Sequence, residues 1–250
     1  YGTNGFYLDF ANKSTKHTLT ANGDVQHDTA QQKIGATSIA FDGTGDYLQI
    51  LNTGSTFDFG TSDDFTLECW VRLADVTGGE SIIDIRASHG DYIQLYITGS
   101  SAAVAGGNVS ITAAGSFSAD TWYHLAVVRS GGTITLYKDG TSIGTPDTST
   151  GQIGGTDYSV AFGMYRKNDG SGGGEAFNGW IDEIRISDSA RYTGSFTPST
   201  SAFTDDDDTL LLVHSDTSDA STTFTDSSGT LQGLGTDAAG SNHFKESNLT

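Results

Sequence analysis

The sequence has little of what would make it a disulfide-bonded, membrane-spanning or nucleic-acid-binding protein. Its 250 residues include one cysteine, two prolines, and 12 lysines and arginines against 31 acidic residues. A single cysteine excludes an internal disulfide. No apolar run reaches the about 18 residues that a membrane-spanning helix needs. The net charge of −19 opposes contact with phosphate backbones and anionic lipid, so neither nucleic acid binding nor membrane insertion is expected.

Helical periodicity is nearly absent, and two-residue alternation takes its place. The clearest case is the stretch Asp64–Leu73. One side of this stretch is apolar and consists of Phe65, Leu67, Cys69, Val71 and Leu73. The other side is more polar and consists of Thr66, Glu68, Trp70 and Arg72. Such a period predicts a strand with one dry and one wetter face. We expect Cys69 to be a small buried hydrophobe.

The rest of the chain predicts an all-β fold. Twelve or so short strands are separated by turns rich in glycine, serine and aspartate, from Gly5–Phe10 to Thr209–His214. The polar segment Asn12–Asp28 is interpreted as a loop. This pattern favours a two-sheet antiparallel sandwich, in which a second sheet covers the apolar face of Asp64–Leu73.

Four segments together resemble the laminin G-like, concanavalin A-like jelly-roll domains, and most closely the bacterial and viral three-type laminin G subfamily. They are Ile39–Ile50, Asp64–Leu73, Asp120–Gly144 and Phe177–Ser199. The resemblance implies two curved sheets, often with bound calcium, that often bind glycans or proteins. We place this domain at residues 1–215, with a loop-rich C-terminal segment at residues 216–250 that packs on the sandwich or links from it.

The two ends of the chain carry a second resemblance. Tyr1–Asn12 and Leu234–Thr250 look like the halves of one continuous motif of marine phage tail-fibre and related virion proteins. This resemblance implies a virion-surface or extracellular location. It also implies other virion or surface proteins as partners and a possible homo-oligomer.

One carboxylate suggests a calcium site. Asp182 shares strand parity with Trp180 and Ile184, and a carboxylate facing inward among apolar neighbours is costly unless it is hydrogen-bonded or bound to a cation. A hydrogen bond to the backbone or to an arginine is one explanation, and a structural calcium ion is the other. Calcium takes about six to eight oxygen ligands. Asp42 and Asp46, in the turn Asp42–Tyr47, could complete such a site, and Asp9 could join it.

A second candidate calcium site lies on two loops. Asp91 ends one loop, and Asn168 and Asp169 belong to another. By resemblance to the pentraxin relatives of this fold, these loops lie near positions that bind calcium together with a ligand. The alternative is that the three side chains are solvated loop residues.

The outward aromatic side chains Trp70, Tyr92 and Tyr96 form the candidate ligand-binding set. Amphipathic rings on a sheet face suit the apolar faces of sugars. Nearby polar side chains could hydrogen-bond sugar hydroxyls: Glu68, Arg72 and Gln94. The alternative is that loops cover these rings, which would then serve as a minor core.

The sequence gives no support for catalysis. Glycoside hydrolases need two carboxylates on one face, about 5 to 10 Å apart. Asp182 and Glu183 are adjacent in sequence and should point to opposite faces of a strand. The prediction is a non-catalytic module that recognises glycans with calcium support. A purely structural virion component is the alternative, and a polysaccharide-cleaving enzyme is a third possibility.

Overall fold

A computed structural model describes residues 16–51, 53–86, 92–115, 117–149, 151–154, 159–166, 173–229, 234–236 and 242–244. The predicted first strand, Gly5–Phe10, and most of the two terminal motifs lie outside this set. The described residues form seventeen strands and no helix, so none of them forms a helix that could cross a membrane.

The strands are short and follow one another closely. In chain order they are β1 (Thr20–Asn22), β2 (Gln26–Asp28), β3 (Ser38–Asp42), β4 (Tyr47–Leu51), β5 (Phe65–Leu73), β6 (Gly79–Arg86), β7 (Tyr92–Thr98), β8 (Ser101–Gly106), β9 (Val109–Ala113), β10 (Trp122–Ser130), β11 (Thr133–Lys138), β12 (Thr141–Asp147), β13 (Ser159–Phe162), β14 (Asn178–Ser187), β15 (Thr209–Val213), β16 (Leu234–Thr236) and β17 (Asn242–Phe244).

The strands form two antiparallel sheets, as predicted. The seven-stranded sheet has the order β1-β4-β13-β6-β7-β8-β9. The eight-stranded sheet has the order β12-β11-β10-β5-β14-β3-β2, and β15 pairs with β14 beside this path. Among the described strands, β16 and β17 pair with each other and with no other strand. The inner faces of the two large sheets bury one continuous hydrophobic core.

β5 is central in the eight-stranded sheet because it pairs with β10 on one side and β14 on the other. Its apolar side chains are fully buried in the core, which confirms the parity predicted for Phe65 to Leu73. Cys69 is among them, and burial raises the pKa of its thiol. The prediction that Cys69 is a small buried hydrophobe is therefore confirmed.

The segment predicted as a loop contains two strands. β1 pairs with β4, and β2 pairs with β3, each at an edge of its sheet. Both strands have only three residues, which is too short for alternation to be recognised in a sequence. The interpretation of Asn12–Asp28 as a loop was therefore wrong for these residues.

Residues 216–229 contact the sandwich. Phe224 joins the main core and stacks on His27 with ring centroids 4.3 Å apart. Asp226 accepts a hydrogen bond from the backbone N–H of Leu212 at 3.2 Å. The boundary between domain and C-terminal segment, placed after residue 215, stays a prediction.

A bulge in β14 changes the direction of two acidic side chains. Ile181 and Ile184 both lie in the core, although only two residues separate them and regular alternation would place them on opposite faces. The register with β5 shifts between Asp182 and Arg185, and Glu183 has a φ of +52°. The extra residue places both Asp182 and Glu183 on the outer side of the sheet. The prediction that Asp182 faces the inner core was therefore wrong, and so was the expectation that it and Glu183 point to opposite faces.

The outer face of β5 is covered by the segment that follows β14. Glu68 is fully buried there, and its Oε1 accepts hydrogen bonds from Arg185 Nε at 2.8 Å and Nη2 at 2.6 Å. Its Oε2 accepts the hydroxyl hydrogen of Tyr192 at 2.8 Å and lies 3.2 Å from His124 Nε2. Tyr192 belongs to the covering segment, so Glu68 attaches that segment to the sheet.

We expect Glu68→Gln to destabilise the fold strongly. The substitution keeps the side-chain volume but leaves the Arg185 guanidinium buried without its carboxylate, which costs about 3 kcal/mol. Urea unfolding at neutral pH measures the change. Asp120→Asn is the control, because the Arg72–Asp120 ion pair is exposed on the Asp120 side and is worth about 1 kcal/mol or less. Equal effects of the two substitutions would contradict this account.

Candidate functional site

Trp70 lies on the outer face of β5, as predicted, but it is only 6% exposed. It packs against Ile34, Phe203 and Leu212, and the Lys33 ammonium lies 4.1 Å from its ring centroid. The expectation that Trp70 is open to a ligand was wrong. The alternative, a minor core under covering loops, describes its environment.

Asp182 and Glu183 lie beneath the same cover. Asp182 Oδ2 accepts the backbone N–H groups of Lys33 and Ile34, each at 3.0 Å. Glu183 Oε2 accepts the backbone N–H of Phe203 at 2.6 Å, and its Oε1 lies 2.7 Å from His214 Nδ1. Burial raises the pKa of Asp182 to about 7. The structure therefore shows Asp182 in hydrogen bonds with the backbone, which was one of the two explanations for its burial.

Asp182 is not brought together with Asp42 and Asp46, the carboxylates with which it was predicted to share a calcium ion. Asp46 accepts the backbone N–H groups of Asp24 at 2.5 Å and Asp42 at 3.0 Å. Asn178 is the cross-strand partner of Asp42, and Asp182 lies four residues further along β14, roughly 13 Å away. The described part of the chain contains no group of three or more His, Cys, Asp or Glu side chains arranged for a metal ion. Asp42, Asp46 and Asp182 therefore do not form the predicted calcium site with one another.

Four of the predicted site residues lie outside the described residues. They are Asp9, Asp91, Asn168 and Asp169. Their part in a calcium or ligand site stays a prediction.

Tyr92 and Tyr96 lie on the outer face of the seven-stranded sheet, on either side of Gln94 in β7. Both rings are half-buried, so each keeps an accessible surface. The neighbouring strand β8 contributes small side chains at this face, because Ala103 pairs with Tyr96 and Ala105 pairs with Gln94. Because these β8 side chains are small, the two rings project above the neighbouring surface, and a flat ligand can reach them.

Charged groups next to these rings are held in fixed positions. Arg86 donates to Asp84 from Nε at 3.0 Å and from Nη2 at 2.9 Å, and its guanidinium carbon lies 3.9 Å from the Tyr92 ring centroid. Burial raises the pKa of Asp84 to about 6. Gln94 Nε2 donates to Glu175 Oε2 at 2.6 Å. Glu175 is exposed, and its Oε1 has no hydrogen-bond partner among the described residues, so it can accept a ligand hydroxyl.

A cavity that the sequence did not indicate lies on the outer face of the eight-stranded sheet. Its volume is about 440 Å³, and it is lined by Asp24, Gln26, Ala40, Phe41, Asp42, Asp46, Asn178 and Trp180. Trp180 pairs with Ala40 across β14 and β3. The residues that line the cavity come from segments far apart in the chain, so no local sequence pattern could have predicted the cavity. Asp42 and Asp46 are wall residues of this cavity.

The chain matches the family model described as the concanavalin A-like lectin/glucanases superfamily over residues 42–194, more than half of its length. The chain belongs to this superfamily. The match begins in the turn that carries Asp42 and Asp46 and ends shortly after β14. A comparison with curated proteins found no match.

Solved structures with a similar fold include two kinds of domain. The binding domain of botulinum neurotoxin serotype G has a TM-score of 0.53 at 13% identity, covering 70% of this chain and 44% of that chain. Domain 4 of AbnA, an extracellular arabinanase of Geobacillus stearothermophilus in complex with arabinotriose, has a TM-score of 0.52 at 19% identity, covering 69% of this chain and 82% of that chain. The chain spans less than half the length of the neurotoxin domain. At these identities the similarity shows the fold.

Glu80, at the start of β6, predicts a pH dependence of stability. Its side chain is buried next to Asn178, whose backbone N–H it accepts at 3.4 Å, and burial raises its pKa from 4.5 to about 7. The unfolded chain releases this proton near pH 4.5, whereas the native protein holds it to about pH 7, so stability falls as pH rises through this window.

Glu80→Gln should therefore reduce the fall in melting temperature between pH 5 and pH 7. Asp147→Asn is the matched control, because hydrogen bonds from Ser149 lower the pKa of Asp147, which therefore stays charged throughout this window. Thermal unfolding of the three proteins at both pH values makes the comparison. An unchanged pH dependence in Glu80→Gln would contradict the assignment.

Proposed function

We propose that this protein is a non-catalytic carbohydrate-binding module. Its glycan site is the outer face of the seven-stranded sheet around Tyr92, Gln94 and Tyr96. The observation that carries the proposal is the pair of accessible rings on one strand, next to a carboxylate oxygen of Glu175 that can accept a hydroxyl. Sugars present flat apolar faces and a rim of hydroxyls, so rings and acceptors in this arrangement complement them.

The site is organised before a ligand arrives. Arg86 is fixed between the Asp84 carboxylate and the Tyr92 ring, and Gln94 is fixed by Glu175. Side chains that are already held lose little conformational entropy when a ligand binds. The network therefore supports recognition on an otherwise shallow surface.

The carboxylates support binding rather than hydrolysis. Asp182 and Glu183 are buried and accept backbone N–H groups, so a substrate does not reach them. Asp84 is also buried and is occupied by Arg86. A glycosidase needs a proton donor and a nucleophile or base in contact with the sugar. These three carboxylates do not offer that arrangement.

The comparisons support the same proposal. The superfamily is described by its lectins and glucanases, and domain 4 of AbnA, which has a similar fold, was solved in complex with arabinotriose. The binding domain of a botulinum neurotoxin has a similar fold as well. AbnA is described as extracellular, which supports an extracellular setting for this protein. A virion-surface setting, or a purely structural virion role, stays a prediction from the terminal segments.

Tyr96→Ala should weaken glycan binding about tenfold, the effect of about 1.4 kcal/mol of lost ring contact. The measurement is a glycan array, followed by calorimetry with the best ligand. Tyr96 faces outward, so the variant should keep the melting temperature of the native protein.

Leu51→Ala is the control for this substitution. Leu51 is 48% exposed and lies on β4 of the same sheet, away from β7. The Leu51→Ala substitution should therefore leave the affinity for the glycan unchanged. A folded native protein that binds no glycan on the array, or a Tyr96→Ala variant with full affinity, would count against the proposed site.

Calcium support is the finer part of the proposal, and a chelator tests it. A cation that binds only the native state stabilises it by mass action, so chelation should lower the melting temperature. Asp182→Asn should keep this response, because Asp182 Oδ2 accepts two backbone N–H groups and Asp182 belongs to no group of metal ligands among the described residues. An identical melting temperature with chelator and with added calcium would remove calcium from the proposal.

A further inference from the structure

The cavity beside Trp180 has the features of a second ligand site. It lies on the outer face of the eight-stranded sheet, whereas Tyr92 and Tyr96 lie on the outer face of the other sheet. Its volume of 440 Å³ is in the range of small-molecule sites. All of its lining residues belong to the described part of the chain.

The Trp180 ring is held in place from two sides. Its Nε1–H donates to Asp28 Oδ2 at 2.7 Å. The Arg72 guanidinium carbon lies 4.8 Å from the ring centroid, and Arg72 is in turn paired with Asp120 at 2.9 Å. The half-buried indole is therefore a fixed wall of the cavity, and a ligand does not have to order it.

The polar groups of the cavity are mainly unoccupied acceptors. The side chains of Asp24 and Gln26 are exposed and make no hydrogen bond with the described residues. Asp42 uses Oδ1 for the backbone N–H of Thr44, which leaves Oδ2. Asn178 donates its amide to Asp75, which leaves its carbonyl oxygen. A ligand that complements these groups must bring hydrogen-bond donors.

Charge and the stacked arginine restrict the ligand further. Asp24, Asp42 and Asp46 give the cavity a negative potential in a chain of net charge −19, which opposes sulfated, uronic and other acidic sugars. Arg72 lies against the Trp180 ring, and its positive charge partly offsets the attraction of these carboxylates for a cationic sugar. Uncharged hydroxyl groups are compatible with both charges.

We infer that this cavity is a second saccharide-binding site and that its ligand is a neutral, hydroxyl-rich sugar stacked on Trp180. The inference extends the proposed function, because it makes the module bivalent, with one site on each outer sheet face.

The test uses the full chain labelled with ¹⁵N and carrying Tyr96→Ala, so that the first site is weakened. The indole N–H signals are followed during titration with arabinotriose, cellotriose and mannotriose, and separately with trigalacturonate and a glucosamine trimer. We expect a neutral trisaccharide to shift the Trp180 signal saturably, and the acidic trimer to leave it unchanged. No saturable shift with any neutral sugar, or a larger shift with the glucosamine trimer, would overturn the inference.

Substitutions at exposed positions separate this site from the fold. Gln26→Ala and Asp24→Asn should each weaken the Trp180 response several-fold without changing the melting temperature. Trp122→Phe is the control: Trp122 pairs with Arg72 on the same sheet but does not line the cavity, so the response should persist. If neither Gln26→Ala nor Asp24→Asn changes the Trp180 response, the inference that the ligand binds in this cavity is overturned.

The two proposals fail in different ways. If the native protein binds glycans and Tyr96→Ala abolishes this binding while Trp180 never responds, the inference fails and the proposed function stands. If Trp180 responds and Tyr96→Ala has no effect on affinity, the inference stands and the proposed site around β7 fails.

Discussion

The buried contact between Glu68 and its partners determines which surfaces of the sandwich are open. A carboxylate on the outer face of the central strand β5 is stable in a dry environment only because Arg185, Tyr192 and His124 satisfy it. Tyr192 comes from the segment after β14, so the same contact closes that segment over the sheet. That segment contributes Phe203 to the cover over Trp70 and Glu183, and the backbone of Lys33 and Ile34, between β2 and β3, covers Asp182. Ligand access is therefore left to other parts of the surface.

The two remaining candidate sites follow from this division. On the seven-stranded sheet, small side chains of β8 leave the rings of Tyr92 and Tyr96 accessible. On the eight-stranded sheet, the cover does not reach Trp180, where β2, β3 and β14 and the turn containing Asp46 enclose a cavity. Both sites pair an anchored aromatic ring with hydrogen-bond acceptors. This arrangement is consistent with the general observation that one fold can bind different ligands through different surfaces.

Much of the candidate site could be predicted only to the level of the strand face. Alternation placed Trp70, Tyr92 and Tyr96 outward, and the structure agrees with the direction of all three. It could not show that Trp70 is covered, since Ile34 and Phe203 are distant from it in sequence. Asp182 was misplaced because one extra residue in β14 shifts the parity, and Glu183, which carries the positive φ, is not a residue type that signals a bulge.

The sequence by itself determined the all-β class, the dry and wet sides of β5, the strong negative charge and the resemblance to laminin G-like domains. These properties are local or additive, because the direction of a side chain follows from the pleat and charge is a sum over residues. Only the tertiary structure decided which outward side chains meet solvent, which carboxylates share a neighbourhood and where a cavity forms. Those outcomes depend on contacts between segments that are far apart along the chain, which a strand pattern does not encode.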